Sequence, residues 1–267
     1  MAEGNPQGRG QRAASGLLLL FAPGERPDRD AIGAVIGQLD RVSIAFDPQK
    51  SARSGPPARQ ASGGDGGAHW LELMSDGLTF DVFGIAPSAA LSLPEMHYRV
   101  GIETGALAGC EAIGLFAGPH IAEGAHTLPV MRTMARIGAG LADALAHVHA
   151  VVWTPANLAV APDFFGEAIS RWLEGGPFPG LCFVGLRAGD SGALKTTGMD
   201  FFIGREVELA ADLAADKPKA TRLMMRLIHQ FVGSEIPEEA RSFAGPEGEP
   251  LLMEPGEETG PIRIRPG

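Results

Sequence analysis

The densest group of residues that could do chemistry lies in one segment, KTTGMDFFIGREVEL, at positions 195–209. If this segment were a single strand, strict alternation would place Arg205 among the apolar side chains of one face. A guanidinium in that position must pair with a carboxylate, or turn outward through a bulge for which Gly204 is suited. The pattern therefore predicts either a structural Arg–Glu ion pair or a ligand-binding Arg205 that faces a cleft with Glu206 or Glu208.

The pair His147 and His149 is a second candidate. Side chains two residues apart on a strand project to the same face, which suits two ligands of a zinc ion. The sequence offers no third ligand at a recognisable spacing, so we expect no bound metal. The pair supports an alternative hypothesis, a hydrolase or metal-dependent enzyme whose site joins these histidines to Arg205, Glu206 and Glu208.

Other catalytic signatures are incomplete in this sequence. Its glycine-rich stretches lack the strand, lysine and helix that a phosphate-binding loop requires. No serine lies in a nucleophile elbow, and neither cysteine has a polar, activating neighbourhood. The net charge of −10 also argues against a nucleic-acid-binding surface or an anionic membrane surface as partner. We therefore predict no cofactor, no nucleic-acid partner and no membrane partner.

Two segments together resemble a known family. VVWTPANLAVAPDFF at 151–165, followed by KTTGMDFFIGREVEL, resembles the bacterial domain-of-unknown-function 4261 family, in which a Trp-containing strand is paired with a late T-x-G-M-x-x-F-x-x-x-E-[IV]-E motif. The resemblance covers roughly residues 110–233. It implies a compact α+β domain of uncharacterised activity and supplies no catalytic residues. The resulting candidate cluster, either ligand-binding or structural, consists of Trp153, Asn157, Thr197, Gly198, Met199, Phe202, Gly204, Arg205, Glu206 and Glu208.

The elements that must position these residues follow from periodicity and turn signals. We predict a buried strand at LLLLFA, a helix capped by Asp28, a hairpin with strands at 69–74 and 78–85 around Asp76-Gly77, and a strand at 110–117. In the second half of the chain we predict a helix that begins after Thr127, a strand ending at Trp153, a helix at 162–174, strands at GLCFVGLRAG and 195–209, and a helix at 217–232.

Composition divides the chain into a folded body and polar flanks. The composition of residues 1–16 predicts a disordered leader. The Gly, Ser and Pro content of residues 49–67 predicts a flexible loop. Residues 17–233 predict an α+β domain with mixed, largely antiparallel sheet or sheets packed with helices, either as one body or as subdomains 17–105 and 106–233. Residues 235–267 hold eight Glu and three Arg, which predicts an acidic Pro/Gly/Glu-rich tail over 234–267.

These observations favour a non-catalytic binding or accessory protein of the cytoplasm. Cys110 and Cys182 lie in apolar runs, which predicts buried thiols and a reducing compartment. The acidic charge suits another protein as partner, and a protein-neutralising, immunity-like role would fit. The sequence leaves the oligomeric state open.

Overall fold

The structure is a computed structural model that describes residues 15–51, 69–189, 191–234, 236–256 and 260–267. The predicted leader therefore lies outside the described residues, apart from its last two positions, and most of the predicted 49–67 loop does so as well. Within these ranges the chain is α+β, as predicted, with helices packed against two mixed, mostly antiparallel sheets. No helix in these ranges is long and apolar enough to cross a membrane.

The first sheet has eight strands in the order β2-β3-β4-β6-β1-β7-β8-β5. Their bounds are β1 Gly16–Phe21, β2 Val42–Phe46, β3 Leu71–Ser75, β4 Leu78–Phe83, β5 Tyr98–Val100, β6 Glu111–Ala117, β7 Ala150–Trp153 and β8 Leu158–Val160. The central β1 pairs with β6 and β7. Because this sheet takes strands from both sides of position 105, the alternative division into subdomains 17–105 and 106–233 is wrong.

The second sheet has six strands in the order β12-β13-β14-β11-β10-β9. Their bounds are β9 Gly185–Ala188, β10 Leu194–Thr197, β11 Val207–Leu209, β12 Arg241–Ala244, β13 Pro250–Glu254 and β14 Ile262–Pro266. Three of its strands come from the segment predicted to be an acidic tail. That prediction is corrected because alternating apolar residues there, including Leu251, Met253, Ile262 and Ile264, are buried in the core. The parallel pairing of β14 with β11 then joins this segment to the rest of the sheet.

The helices α1 to α8 lie at Arg29–Ile36, Pro48–Ser51, Leu128–Ala144, Pro162–Leu173, Gly180–Phe183, Asp200–Ile203, Ala211–Ala214 and Lys217–Val232. The Asp28 side chain accepts a hydrogen bond from the Ala31 N–H and caps α1, as predicted. Asp216 caps α8 in the same way. The predicted strand at GLCFVGLRAG is correct only in its second half, since its first half forms the helical turn α5.

The first sheet is buried on both faces at its centre, which explains the uninterrupted leucines of β1. Leu17 and Leu19 point to the face that carries the large helices, within a core that extends to the second sheet. Leu18 and Leu20 point to the opposite face and pack under residues of the 86–110 segment, including Leu91 and Leu107. On the outer strands β2, β3 and β4, the face opposite the helices is only partly covered.

Candidate functional site

The segment at 195–209 is a strand, a helical turn and a second strand, and not the single strand that alternation predicted. Gly198 and Gly204 have φ of +91° and +76°, and these left-handed residues flank the turn α6. Arg205 consequently lies in the connection after α6 and not on the apolar face of a strand. Its guanidinium donates to the backbone carbonyl of Pro255. A carboxylate partner for Arg205 stays a prediction.

Glu206 is the centre of this arrangement. Its carboxylate accepts hydrogen bonds from the hydroxyl of Thr196 at 2.5 Å, the N–H of Gly198 at 2.7 Å and the N–H of Met199 at 3.2 Å. The Thr196 hydroxyl oxygen in turn accepts from the N–H of Val207 at 2.7 Å. One carboxylate therefore fixes the end of β10 against the start of β11, which identifies Glu206 as a structural clamp.

The environment of Glu206 favours its neutral form. Burial raises the pKa of Glu206, and the nearby carboxylate of Asp200 raises it further, although the hydrogen bonds from Thr196 and Gly198 act in the opposite direction. Asp200 itself is exposed. A hydrogen bond between the two carboxyl groups also raises the pKa of Glu206, because it requires a proton on one of them.

Trp153 and Phe202 meet in an aromatic cluster between the two sheets. Their ring centroids are 6.2 Å apart and the ring planes are inclined by only 27°. Phe183 and Phe201 contact the Trp153 ring edge-on at 5.3 and 5.0 Å. Gly198 lies against Ala156, where an added Cβ would come within 2.7 Å of the Ala156 Cβ. The predicted cluster is thus in large part a joint that holds the second sheet against the first.

The remaining predicted residues are spread around this joint. Thr197 Oγ1 and the Tyr98 hydroxyl are 2.7 Å apart in a hydrogen bond that links β10 to β5. Asn157 adopts a left-handed conformation with φ of 49° and ends the 3₁₀ turn before β8. Glu208 pairs with Lys195 across the strands at 2.8 Å. Glu206 and Glu208 therefore serve different partners.

His147 and His149 do not join this cluster. Both side chains are exposed and precede β7, whereas Trp153 is its last residue. Four extended residues separate His149 from Trp153 by about 13 Å. Within the described ranges, no group of three or more His, Cys, Asp or Glu is placed to hold a metal ion. The alternative hypothesis, an enzyme whose site joins these histidines to Arg205, Glu206 and Glu208, stays a prediction.

The prediction that both thiols are buried is confirmed for Cys182 and only in part for Cys110. Both are free thiols, with Cys182 buried in α5 and Cys110 half-buried before β6. Burial raises the pKa of Cys182 to about 12 and also raises the pKa of Cys110. Neither thiol is thus activated as a thiolate near neutral pH.

A second candidate site, not predicted from the sequence, lies on the second face of the outer strands of the first sheet. Four half-buried rings follow one another across β2, the start of β3, β4 and β6, and we call this surface the aromatic face: Phe46, Trp70, Phe83 and Phe116. Successive centroids are 5.6, 5.8 and 6.2 Å apart. Trp70 and Phe83 are stacked, with 25° between their planes.

Local backbone features explain how these rings reach one surface. Phe83 lies two residues after Asp81 on β4, so both side chains point away from the helices. Phe46 joins them because a bulge after Ile44 skips one residue and pairs Phe46 with Glu72. Alternation in HWLELM and LTFDVF was a signal for part of this face, but the bulge that turns Phe46 could not be seen in the sequence.

Asp81 and Glu72 give the aromatic face two carboxylates. They are directly opposite each other on β4 and β3, and Asp81 is opposite Phe116 on its other side. Asp81 is only 7% exposed, and its Oδ1 atom has no hydrogen-bond partner among the described residues. Burial raises the pKa of Asp81 to about 6, with a further contribution from the charge of Glu72. Met74, on the same face of β3, is 43% exposed.

Comparisons with protein-family models, with curated proteins and with solved structures found no match to this chain. The resemblance to the domain-of-unknown-function 4261 family therefore stays a prediction.

Proposed function

We propose that this chain is a non-catalytic binding protein and that it holds a positively charged segment of another protein on the aromatic face. The observation that carries the proposal is the continuous row from Phe46 to Phe116, bordered by the exposed Met74 and by Asp81 and Glu72. Aromatic residues and methionine are enriched in protein interfaces, and the four partly exposed rings form one contiguous apolar surface beside the exposed Met74.

The size of the row favours a polypeptide as the occupant. The four rings span three strand spacings, which corresponds to about 14 Å across the sheet. A segment of several residues can contact the whole row, whereas a single small cation would contact one or two rings. The carboxylates and the net charge of −10 would favour a basic segment and accelerate its approach.

The cellular role that suits such a protein is that of a cytoplasmic accessory or neutralising protein. Buried unpaired thiols such as Cys182 suit a reducing compartment. A protein-neutralising, immunity-like role requires only that a partner surface be occluded, and a rigid aromatic face on a sheet could do so. If the chain belongs to the domain-of-unknown-function 4261 family, its motif would serve mainly to build the joint around Trp153.

Trp70 provides a direct test. It is partly exposed, whereas Trp153 is fully buried and Trp172 is 4% exposed, so a ligand on the aromatic face should change mainly the Trp70 fluorescence. The probe is a synthetic peptide of alternating arginine and leucine, titrated at pH 7.5 and 150 mM salt. Anisotropy of a dye on the peptide gives its affinity, and a peptide with glutamate for arginine is the control ligand.

We expect saturable binding of the basic peptide that becomes at least about tenfold weaker in Trp70→Ala and in Phe83→Ala, since central aromatic residues dominate interface energies. Phe164→Ala is the matched control, because Phe164 is an exposed phenylalanine (37%) on α4, away from the aromatic face. Equal affinity in the wild type and in both aromatic-face variants, or no saturable binding, would overturn the proposal.

A further inference from the structure

Asp81 is the least satisfied charged group of the aromatic face. It occupies the middle of β4, between Glu72 on one neighbouring strand and Phe116 on the other. More than nine-tenths of the residue is buried, yet Oδ1 has no hydrogen-bond partner among the described residues. A buried carboxylate without a partner is destabilising. In most proteins such a group is paired with a cation or accepts hydrogen bonds from nearby donors.

The described residues around Asp81 supply no such compensation. Across the strands it meets a second acid, Glu72, and an aromatic ring, Phe116. Along its own strand, Phe83 lies on the same face. The arginines on neighbouring elements are paired with other carboxylates, namely Arg26 with Glu111, Arg29 with Asp47, and both Arg41 and Arg136 with Asp76.

We infer that Asp81 is the anchor for one arginine side chain of the bound segment, with Glu72 as the second carboxylate and the rings of Phe83 and Phe116 flanking the guanidinium. This inference rests on the proposed function and names the chemistry that the aromatic face recognises. Arginine fits better than lysine because its planar guanidinium stacks on aromatic rings and carries several N–H donors, so that it can donate to Asp81 and to Glu72, which lies directly opposite, at the same time.

The anchor makes binding depend on pH, because only the ionised form of Asp81 attracts a guanidinium. Glu72 is the charged group that faces Asp81 from β3, whereas β6 presents Phe116. With the pKa of Asp81 raised to about 6, roughly one-tenth of the molecules carry the charge at pH 5 and nearly all carry it at pH 7.5. The affinity for an arginine side chain should therefore fall about tenfold between these two pH values.

The test uses the full-length protein and two small probes with acetylated α-amino groups, Nα-acetyl-arginine amide and its uncharged analogue Nα-acetyl-citrulline amide (arginine amide and citrulline amide below), together with the alternating arginine–leucine peptide. Trp70 fluorescence reports binding of each. We expect arginine amide to bind at pH 7.5, to bind about tenfold more weakly at pH 5, and citrulline amide to show no saturable signal. Asp81→Asn should abolish the difference between the two probes and should weaken peptide binding at least about tenfold.

Asp143→Asn is the matched control, because Asp143 is exposed on α3 and the change alters the net charge by the same amount. Circular dichroism establishes whether Asp81→Asn is folded. The comparison of binding at pH 5 and pH 7.5 uses the wild-type protein and does not depend on the variant. If the peptide binds and requires Trp70, while neither Asp81→Asn nor pH changes its affinity, the arginine anchor is overturned and the proposed function stands. If arginine amide binds through Asp81 but the peptide does not, the anchor stands and the proposed function fails.

Discussion

The indole ring of Trp153 and the phenyl ring of Phe202 stack across the boundary between the two sheets, with centroids 6.2 Å apart. Trp153 is the last residue of β7 in the first sheet, and Phe202 belongs to the turn that joins β10 to β11 in the second. Trp153 is fully buried and Phe202 is 9% exposed. This contact shows why a Trp-containing strand and a late glycine-containing motif occur together in one sequence, since each supplies one side of the same joint.

We predict that Trp153→Ala and Phe202→Ala each reduce the free energy of unfolding by about 3–5 kcal/mol, because a large buried ring leaves a cavity that its neighbours cannot fill. Chemical denaturation measures both. The double variant should lose less than the sum of the two single losses, since the variants share one contact. Strict additivity would mean that the two rings stabilise the joint independently.

Gly198 and Gly204 provide a second, internally controlled prediction. Both have positive φ, so alanine at either site carries the cost of a left-handed backbone, about 1–2 kcal/mol. At Gly204 no atom lies within 4 Å of the added Cβ, whereas at Gly198 it would lie 2.7 Å from the Ala156 Cβ and 3.1 Å from the Phe183 carbonyl oxygen. Gly198→Ala should therefore cost at least about 2 kcal/mol more than Gly204→Ala in thermal or chemical unfolding. Equal losses would show that backbone strain alone sets both values.

The elements with local signals were predictable from the sequence. Asp28 before an apolar helical stripe, and the Asp76-Gly77 pair between alternating segments, each specify their structure within a few residues. The helix at 217–232 was likewise predictable because Asp216 caps it and Gly233 follows it. In each case the stabilising contacts lie close in the sequence.

The errors arose where distant contacts decide the structure. The FFIGREVEL alternation favours a strand, but the hydrogen bonds from the 196–199 region to Glu206 and the left-handed Gly204 close a turn instead. The Glu-rich composition of 234–267 predicted a tail, although Ile262 and Ile264 alternate and pair with β11. The Glu-rich average composition conceals a short period-two pattern whose partner strand is distant in the sequence.

Glu206, immediately before β11, and Glu208, on β11, allow the clamp to be tested against a nearby matched control. Glu206→Ala leaves the Thr196 hydroxyl and two backbone N–H groups without their acceptor, so we expect a loss of about 2–4 kcal/mol in the free energy of unfolding. Glu208→Ala removes a partly exposed ion pair with Lys195 and should cost within about 1 kcal/mol. Chemical denaturation of the two variants should thus separate them clearly. Similar losses would argue that Glu206 has no special role in closing the turn.

The last prediction concerns the pH dependence that Asp81 imposes on stability. Its pKa is about 6 in the folded protein and has an ordinary value of 3.8, so the folded state holds the proton more tightly than the unfolded state. Asp81 therefore contributes stability that is fully present below pH 4 and is lost as the pH rises through 6. Because the pKa of Asp81 is about 2 higher in the folded state, its contribution to the free energy of unfolding is at most about 3 kcal/mol.

Asp81→Asn removes this dependence, because an amide does not titrate and its own cost of burial is the same at every pH. We expect the free energy of unfolding of the variant, relative to the wild type, to increase by about 1–3 kcal/mol between pH 4 and pH 7.5. Asp143→Asn, at an exposed position, should run parallel to the wild type over the same range. Denaturation curves at several pH values measure all three proteins. A constant difference between Asp81→Asn and the wild type would show that the Asp81 carboxyl has the same pKa in the folded and unfolded chain, and would remove the electrostatic reason for a cation at this position.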